Sequence, residues 1–157
     1  MAAVIARDAA QQLYRAIYGK LTGDATLMQM IGGTAQDWRV YQSEIDYDAA
    51  SVFKDHNWIT FNIVNDRPSE AEQTQDIREI RLDIHCWRRG PGSSVLEDVE
   101  ARVRELLDNA TDLGDPNGTL LVMKMLAIGY HKTYQAQPGI WHITSSFETM
   151  CVALRQE

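Results

Sequence analysis

A histidine beside a cysteine is the pairing in this sequence best able to do chemistry. His85 and Cys86 adjoin within IRLDIHCWRRGPGSSVLEDVEARVRELLDN, residues 80–109. Such a pair suggests a nucleophile with its base, or half of a metal site. The surrounding pattern argues against both. Ile80, Leu82, Ile84 and Cys86 alternate with Arg81, Asp83, His85 and Trp87. A period of two is the mark of a strand with one apolar face, and neighbours on a strand point to opposite faces. His85 is therefore expected to point away from the side that holds Cys86. A reactive thiol also needs an electropositive, partly exposed setting, whereas an apolar stripe raises its pKa. Cys86 reads as a core thiol.

The other candidates carry weaker signals. The histidines are His56, His85, His131 and His142. None is spaced i, i+4 on a helix and no Cys-x-x-Cys is present, so no metal site is expected. His131 and His142 fall on the last two strands as candidate cross-strand neighbours, most simply solvated. Glu44, Asp46 and Asp48 alternate in SEIDYD, but the glycine and closing glutamate of a calcium loop are missing. GxGxxG, GxxxxGK[ST] and GxSxG are absent. GPGSS before a helix offers free N–H groups to an anion, yet without the rest of a nucleotide fold it reads as a helix-start turn. No catalytic residue, metal or cofactor is expected. The enzyme alternative is a small cytosolic α+β protein using His131, His142 or Glu148. It requires a deep apolar pocket and shifted pKa values beside those residues.

The elements that would position these groups follow from periodicity. Ala6, Ala10, Leu13, Ile17 and Leu21 make one stripe of a first helix over 6–21. Asp24 is placed to cap a short second helix, which Gly32-Gly33 ends. WRVY (38–41) and NWITFNIV (57–64) read as strands, separated by the acidic loop QSEIDYDAASVFKDHN. NDRPSEAEQTQD, 65–76, has the composition of a mobile loop or hairpin tip. Ser94 and Glu97 have capping-box spacing ahead of a helix over 95–109 with Val95, Leu96, Val99, Val103, Leu106 and Leu107 as its stripe. TLLVMKMLAIGYHKTYQ is one long strand, bulged near Gly129, and IWHITSSFETMCVALR is the last. The expectation is a single α+β domain over 1–157. It has a mostly antiparallel sheet of about five strands, with two main helices packed on one face.

The totals agree with that picture. The chain has 157 residues, 45% hydrophobic and 24% charged, with a formal net charge of −7. No basic cluster exceeds Arg88-Arg89, which argues against a nucleic-acid-gripping face. Cys86 and Cys151 sit in apolar runs and are expected to be reduced core thiols. Arg7, Asp8, Gln11 and Gln12 interrupt the first segment, so no secretory signal is expected. No apolar run reaches the roughly 20 residues of a membrane helix. The outer strand face carries Arg81, Asp83, His85 and Trp87, then Arg88 and Arg89, with Tyr130, Tyr134 and Trp141 on the last hairpin. Tyr, Trp and Arg are enriched where proteins meet proteins.

These segments together resemble the tail completion, or tail terminator, proteins of long-tailed bacteriophages. LYRAIYGKLTGDATLMQMIGG is similar to that family's opening helix, Asp-led short helix and closing glycine. WRVY and NWITFNIV resemble its first two strands. IRLDIHCWRRGPGSSVLEDVEARVRELLDN resembles its strand–turn–helix stretch, and the two long final strands also fit. QSEIDYDAASVFKDH is longer than the connection usual before the second strand.

The resemblance implies a structural virion protein and no enzyme. It would be made in the bacterial host cytoplasm and placed at the top of the tail tube. Its partners would be further copies of itself in a ring, commonly six, the tail tube protein, and a head completion or neck protein. DNA would pass through the lumen without specific binding, and no membrane is involved. Six copies would carry six times −7, or −42, and acidic residues such as Asp46 and Asp48 would repel DNA phosphates from a lumen wall. Protein-interface residues are expected around Arg67, Asp76 and Arg78, at the Arg88 and Arg89 turn, and at Trp141. A head completion or neck connector is the alternative within virion assembly, distinguished by binding the portal or adaptor instead of the tube.

Overall fold

The structure, a computed structural model, describes residues 9–32, 40–42, 57–69, 74–89, 92–114, 120–122, 124–135 and 139–153. Among them are three helices, α1 (Ala9–Thr22), α2 (Ala25–Ile31) and α3 (Ser94–Leu107). There are six strands: β1 (Val40–Gln42), β2 (Asn57–Ser69), β3 (Thr74–Arg89), β4 (Leu120–Val122), β5 (Leu126–Gln135) and β6 (Ile140–Ala153).

All six strands join one sheet. Its order is β1-β2-β3-β6, with β4 and β5 lying end to end along the outer edge of β6. The four long strands are antiparallel, as expected of an α+β sheet. The short β1 runs parallel to β2. The segment expected as one strand from 119 to 135 divides into β4 and β5. Its bulge stands where Gly129 suggested, with a register shift between Ala127 and Gly129. β2 and β3 extend into the polar 65–76 segment and form a long hairpin.

One sheet face is apolar because the strands alternate. Ile59, Phe61, Leu82, Ile84, Cys86, Ile143 and Phe147 are all at most 1% exposed. The helices supply the covering layer: Leu13, Ile17 and Leu21 from α1, Leu27 and Ile31 from α2, and Leu96, Val99, Val103 and Leu107 from α3. Each fully buried side chain of this size contributes about 1.5–3 kcal/mol. Val95, placed on the expected α3 stripe, is exposed at 41%, and Glu100 occupies a buried position instead. The spacing of Leu96, Glu100, Val103 and Leu107 puts Glu100 on the inward side. It is tolerated there because Ser145 Oγ donates to its Oε1 at 2.9 Å and Arg104 lies 3.4 Å from its Oε2.

Caps decide where the helices begin. Asp24 caps α2, its carboxylate accepting from the Leu27 N–H at 2.8 Å. The same carboxylate takes two guanidinium hydrogen bonds from Arg102 of α3, at 2.6 and 2.9 Å. Arg102 holds the Asp24 carboxyl below the usual carboxylate range. Gly32 ends α2 at φ 73°, a left-handed position that costs glycine nothing. The capping box expected at Ser94 and Glu97 is not used. Ser94 is already helical, Ser93 is the N-cap without a side-chain bond, and Glu97 pairs with Lys132 of β5 instead.

Cys86 and Cys151 are free and buried. Burial pushes the Cys86 thiol well above the ordinary thiol range and Cys151 up to about 12. Cys86→Ser should therefore lower unfolding stability by about 1–3 kcal/mol, the cost of an unsatisfied buried hydroxyl, while removing no chemical activity. Denaturant melts of the two proteins, with a hydrolase and transferase screen, check this.

Candidate functional site

The side of the sheet away from the helices carries the polar alternates of the same strands. His85 is only 9% exposed there, and Trp58 and Thr60 are each 1% exposed. The separation of His85 from Cys86 across the sheet is as the alternation required. The expected solvated His131–His142 pair is corrected in part. In the β5–β6 register His131 lies opposite Thr144, and His142 opposite Thr133, so the two histidines are diagonal. His142 instead meets His85 of β3. Nδ1 of His85 lies 2.8 Å from Nε2 of His142 and 3.1 Å from Thr144 Oγ1, while His85 Nε2 lies 3.1 Å from Asn62 Oδ1. His142 also stacks on Trp87 with ring centroids 3.7 Å apart and planes 4° from parallel. Trp87 in turn stacks on Trp58 and donates Nε1–H to Thr60 Oγ1 at 3.0 Å.

With the Asn62 amide oxygen facing His85 Nε2, the tautomer that satisfies the network has His85 Nε2–H donating to Asn62 Oδ1 and His142 Nε2–H donating to His85 Nδ1. Burial first, then the positive charge that His85 and His131 would bring, lowers His142 to about 4. His142 is thus held neutral, and its contact with His85 gives each ring a hydrogen-bond partner.

The groove on this face lies elsewhere. An open groove of about 430 Å³ at the hairpin end is lined by Arg67, Arg81, Lys124, Leu126, Glu148 and Met150. Glu148 is six residues along β6 from His142, or about 20 Å. The groove meets Glu148, one of the three residues of the enzyme alternative, and stands apart from the shifted histidine. Among the described residues no group of three His, Cys, Asp or Glu side chains could hold a metal. No described helix is long and apolar enough to cross a membrane.

The six expected interface residues separate into two groups at opposite ends of the sheet. At the hairpin end Arg67 pairs with Glu79 at 2.9 Å and Arg78 with Asp66 at 2.7 Å, and Asp76 lies on the same hairpin in β3. Asp46 and Asp48, expected on a lumen wall, lie outside the described residues. At the far end Arg88 donates to Asn57 Oδ1 at 3.2 Å, while its Nε is buried without a hydrogen-bond partner. Asn57 in turn donates to the Met30 carbonyl of α2. Arg89 follows on β3, opposite Ile140. Trp141 lies opposite Arg88, packs on Tyr134 at 4.5 Å and receives the Lys132 ammonium at 5.8 Å. Ten residues of β3 separate Arg78 from Arg88, about 33 Å.

Sequence reasoning missed two functional-scale features. The His85–His142 contact needed the β3–β6 register, which no local pattern reveals. Glu100 was legible from its i+4 spacing after Leu96.

Comparison with known proteins supplies a family. Residues 15–150 match the family described as tail completion protein gp17. The chain belongs to that family, whose members are structural components of phage-type virion tails. A chain solved in the virion of a native gene transfer agent particle has the same fold. Its TM-score is 0.68 at 14% identity, and the match covers 94% of this chain and 99% of that one. No curated protein matches the sequence.

The histidine pair sets a pH dependence with a definite sign. Folded His142 titrates near 4 against 6.5 for the ordinary group. As pH falls below about 6.5 the unfolded chain takes up this proton first, so stability drops towards pH 4 and levels off below it. His142→Gln should flatten that part of the curve. Thermal melts of both proteins from pH 7 to 4 check it, and an unchanged slope would contradict the assignment.

Proposed function

We propose that this chain, as a single domain, forms a ring that caps the tail tube, ends tube polymerisation and presents the surface that docks on the head. Family membership over residues 15–150 carries the reading. The likeness to a chain of a phage-like virion particle supports it. The geometry suits it as well. A stacked ring needs two axial surfaces and a lateral one, and this sheet has two chemically different ends about 33 Å apart.

The hairpin end, with Arg67, Asp76 and Arg78, and the opposite end, with Arg88, Arg89 and Trp141, are assigned to the axial partners. Those partners are the tube protein and a head completion or neck protein. The ring takes six copies, and DNA passes through its lumen without specific binding. The net charge of −7 per copy keeps phosphates from adhering. Arg88 is half-buried and tied through Asn57 to the Met30 carbonyl, so a partner docking at this end meets a positioned guanidinium.

Adding the chain to polymerising tube protein should stop growth and leave capped ends. Unlimited growth would overturn the reading, and binding to a portal or adaptor without tube binding would favour the neck connector. The double variant Arg88→Glu, Arg89→Glu should keep its far-UV circular dichroism while its capping or docking affinity falls about tenfold or more, near 1.4 kcal/mol. Unchanged affinity for both axial partners and for itself would clear that end of the sheet.

A further inference from the structure

The exposed large hydrophobic residues of the described chain are Tyr18, Val64, Val95, Leu126, Ile128, Tyr130 and Tyr134. Four of them lie on β5 alone. Tyr18 and Val64 lie at the other side of the molecule. Tyr14 reaches the outer edge of β2, its hydroxyl accepting from the Ile63 N–H at 2.6 Å. Tyr18 follows Tyr14 by one helical turn and so falls on the same side of α1. Val64 is the residue left over at the β2 bulge between Ile63 and Asn65. Val95 lies at the start of α3.

The two flanks differ in how their backbone is treated. The β2 edge is blunted: β1 pairs with it at Ile59–Phe61, Tyr14 occupies Ile63, a bulge follows, and Pro68 removes a donor. The β5 edge has no strand partner among the described residues and no proline. Asp108 accepts from the Ala127 N–H at 2.9 Å and the bulge follows at Gly129, so the open N–H and C=O groups run along 130–135, about 20 Å. Beside it stands α3, joined to it by the Lys132–Glu97 ion pair and by Arg104 over the Tyr130 ring at 5.8 Å. Strand and helix together make a flank about 33 Å by 20 Å, in the range of the roughly 800 Å² per partner of a stable interface.

We infer that a second copy of this chain occupies that flank: the β5–α3 side of one copy packs against the α1–β2 side of the next. The inference rests on the ring reading and names its lateral contact. A contact between unlike patches leaves one of each free on every pair, so copies add until the rotation closes. Pairing of β5 with β5 would instead stop at a two-fold dimer and leave Tyr18 and Val64 uncovered. Tyr130 and Tyr134 are the anchors, since rigid aromatic side chains dominate such contacts. The ends of the sheet, with Arg67, Arg78, Arg88 and Arg89, stay available for axial partners.

The test places a photo-cross-linking amino acid at position 130 or 134 in assembled particles and maps the adducts by mass spectrometry. The expected product has the size of two copies, joining β5 to peptides that contain Tyr18 or Val64. Adducts to a different virion protein, β5-to-β5 adducts, or no chain-to-chain product would overturn the inference while leaving the ring reading in place. A single copy per tail would remove the ring reading itself. The variant Tyr130→Glu with Tyr134→Glu gives a second readout. It should keep its circular dichroism and lose at least tenfold in copy-to-copy association.

Discussion

Everything in this molecule depends on the burial of one sheet face under a layer of helices. β3 runs for 16 residues through the middle of the sheet, paired on both sides along most of its length. Leu82, Ile84 and Cys86 on β3 face the helices with Phe61 of β2 and Phe147 of β6. The strict period of two then sends every alternate residue to the other face. The polar network of Asn62, His85, His142 and Thr144 is a consequence of that constraint. So is the inertness of Cys86, which shares a peptide bond with His85 and stands on the opposite side of the sheet.

The outer face pairs its chemistry-like residues with one another. Each imidazole nitrogen of His85 has a partner, and His142 is held neutral between a tryptophan ring and a second imidazole. Among the described residues, groups available for binding lie along the perimeter of the sheet and in the groove at its hairpin end. The ends carry arginines, two locked in ion pairs at the hairpin end and Arg88 bonded to Asn57 at the other. The flanks carry most of the exposed aromatic and aliphatic side chains. A fold of this kind works by position within a larger assembly, in keeping with membership of a tail completion family.

Much of the fold was legible in the residues, and for identifiable reasons. The Leu13, Ile17 and Leu21 stripe of α1, the Asp24 cap, the Gly32 stop and the β3 alternation are local patterns with direct physical causes, and each appears in the structure; Ala6 lies outside the described residues, and Ala9 is buried where Ala10 was expected. The glycine-marked bulge in β5 belongs with them. Features that depend on register or on long-range partners were not legible. Glu97 carries the capping-box spacing, yet its carboxylate serves Lys132, because the helix begins one residue earlier than that motif requires and Ser94 is already inside it. The expected interface residues were chosen by residue type. Residue type could not show that Arg67 and Arg78 already have carboxylate partners on the neighbouring strand of their own hairpin.

Native mass spectrometry of the purified chain, with negative-stain images of the same sample alone and mixed with tail tubes, tests the central claim most directly. The account predicts six copies closed into a ring with a central hole, either free or seated on tube ends. A chain that remains a monomer in both conditions and leaves the tube ends bare would contradict it.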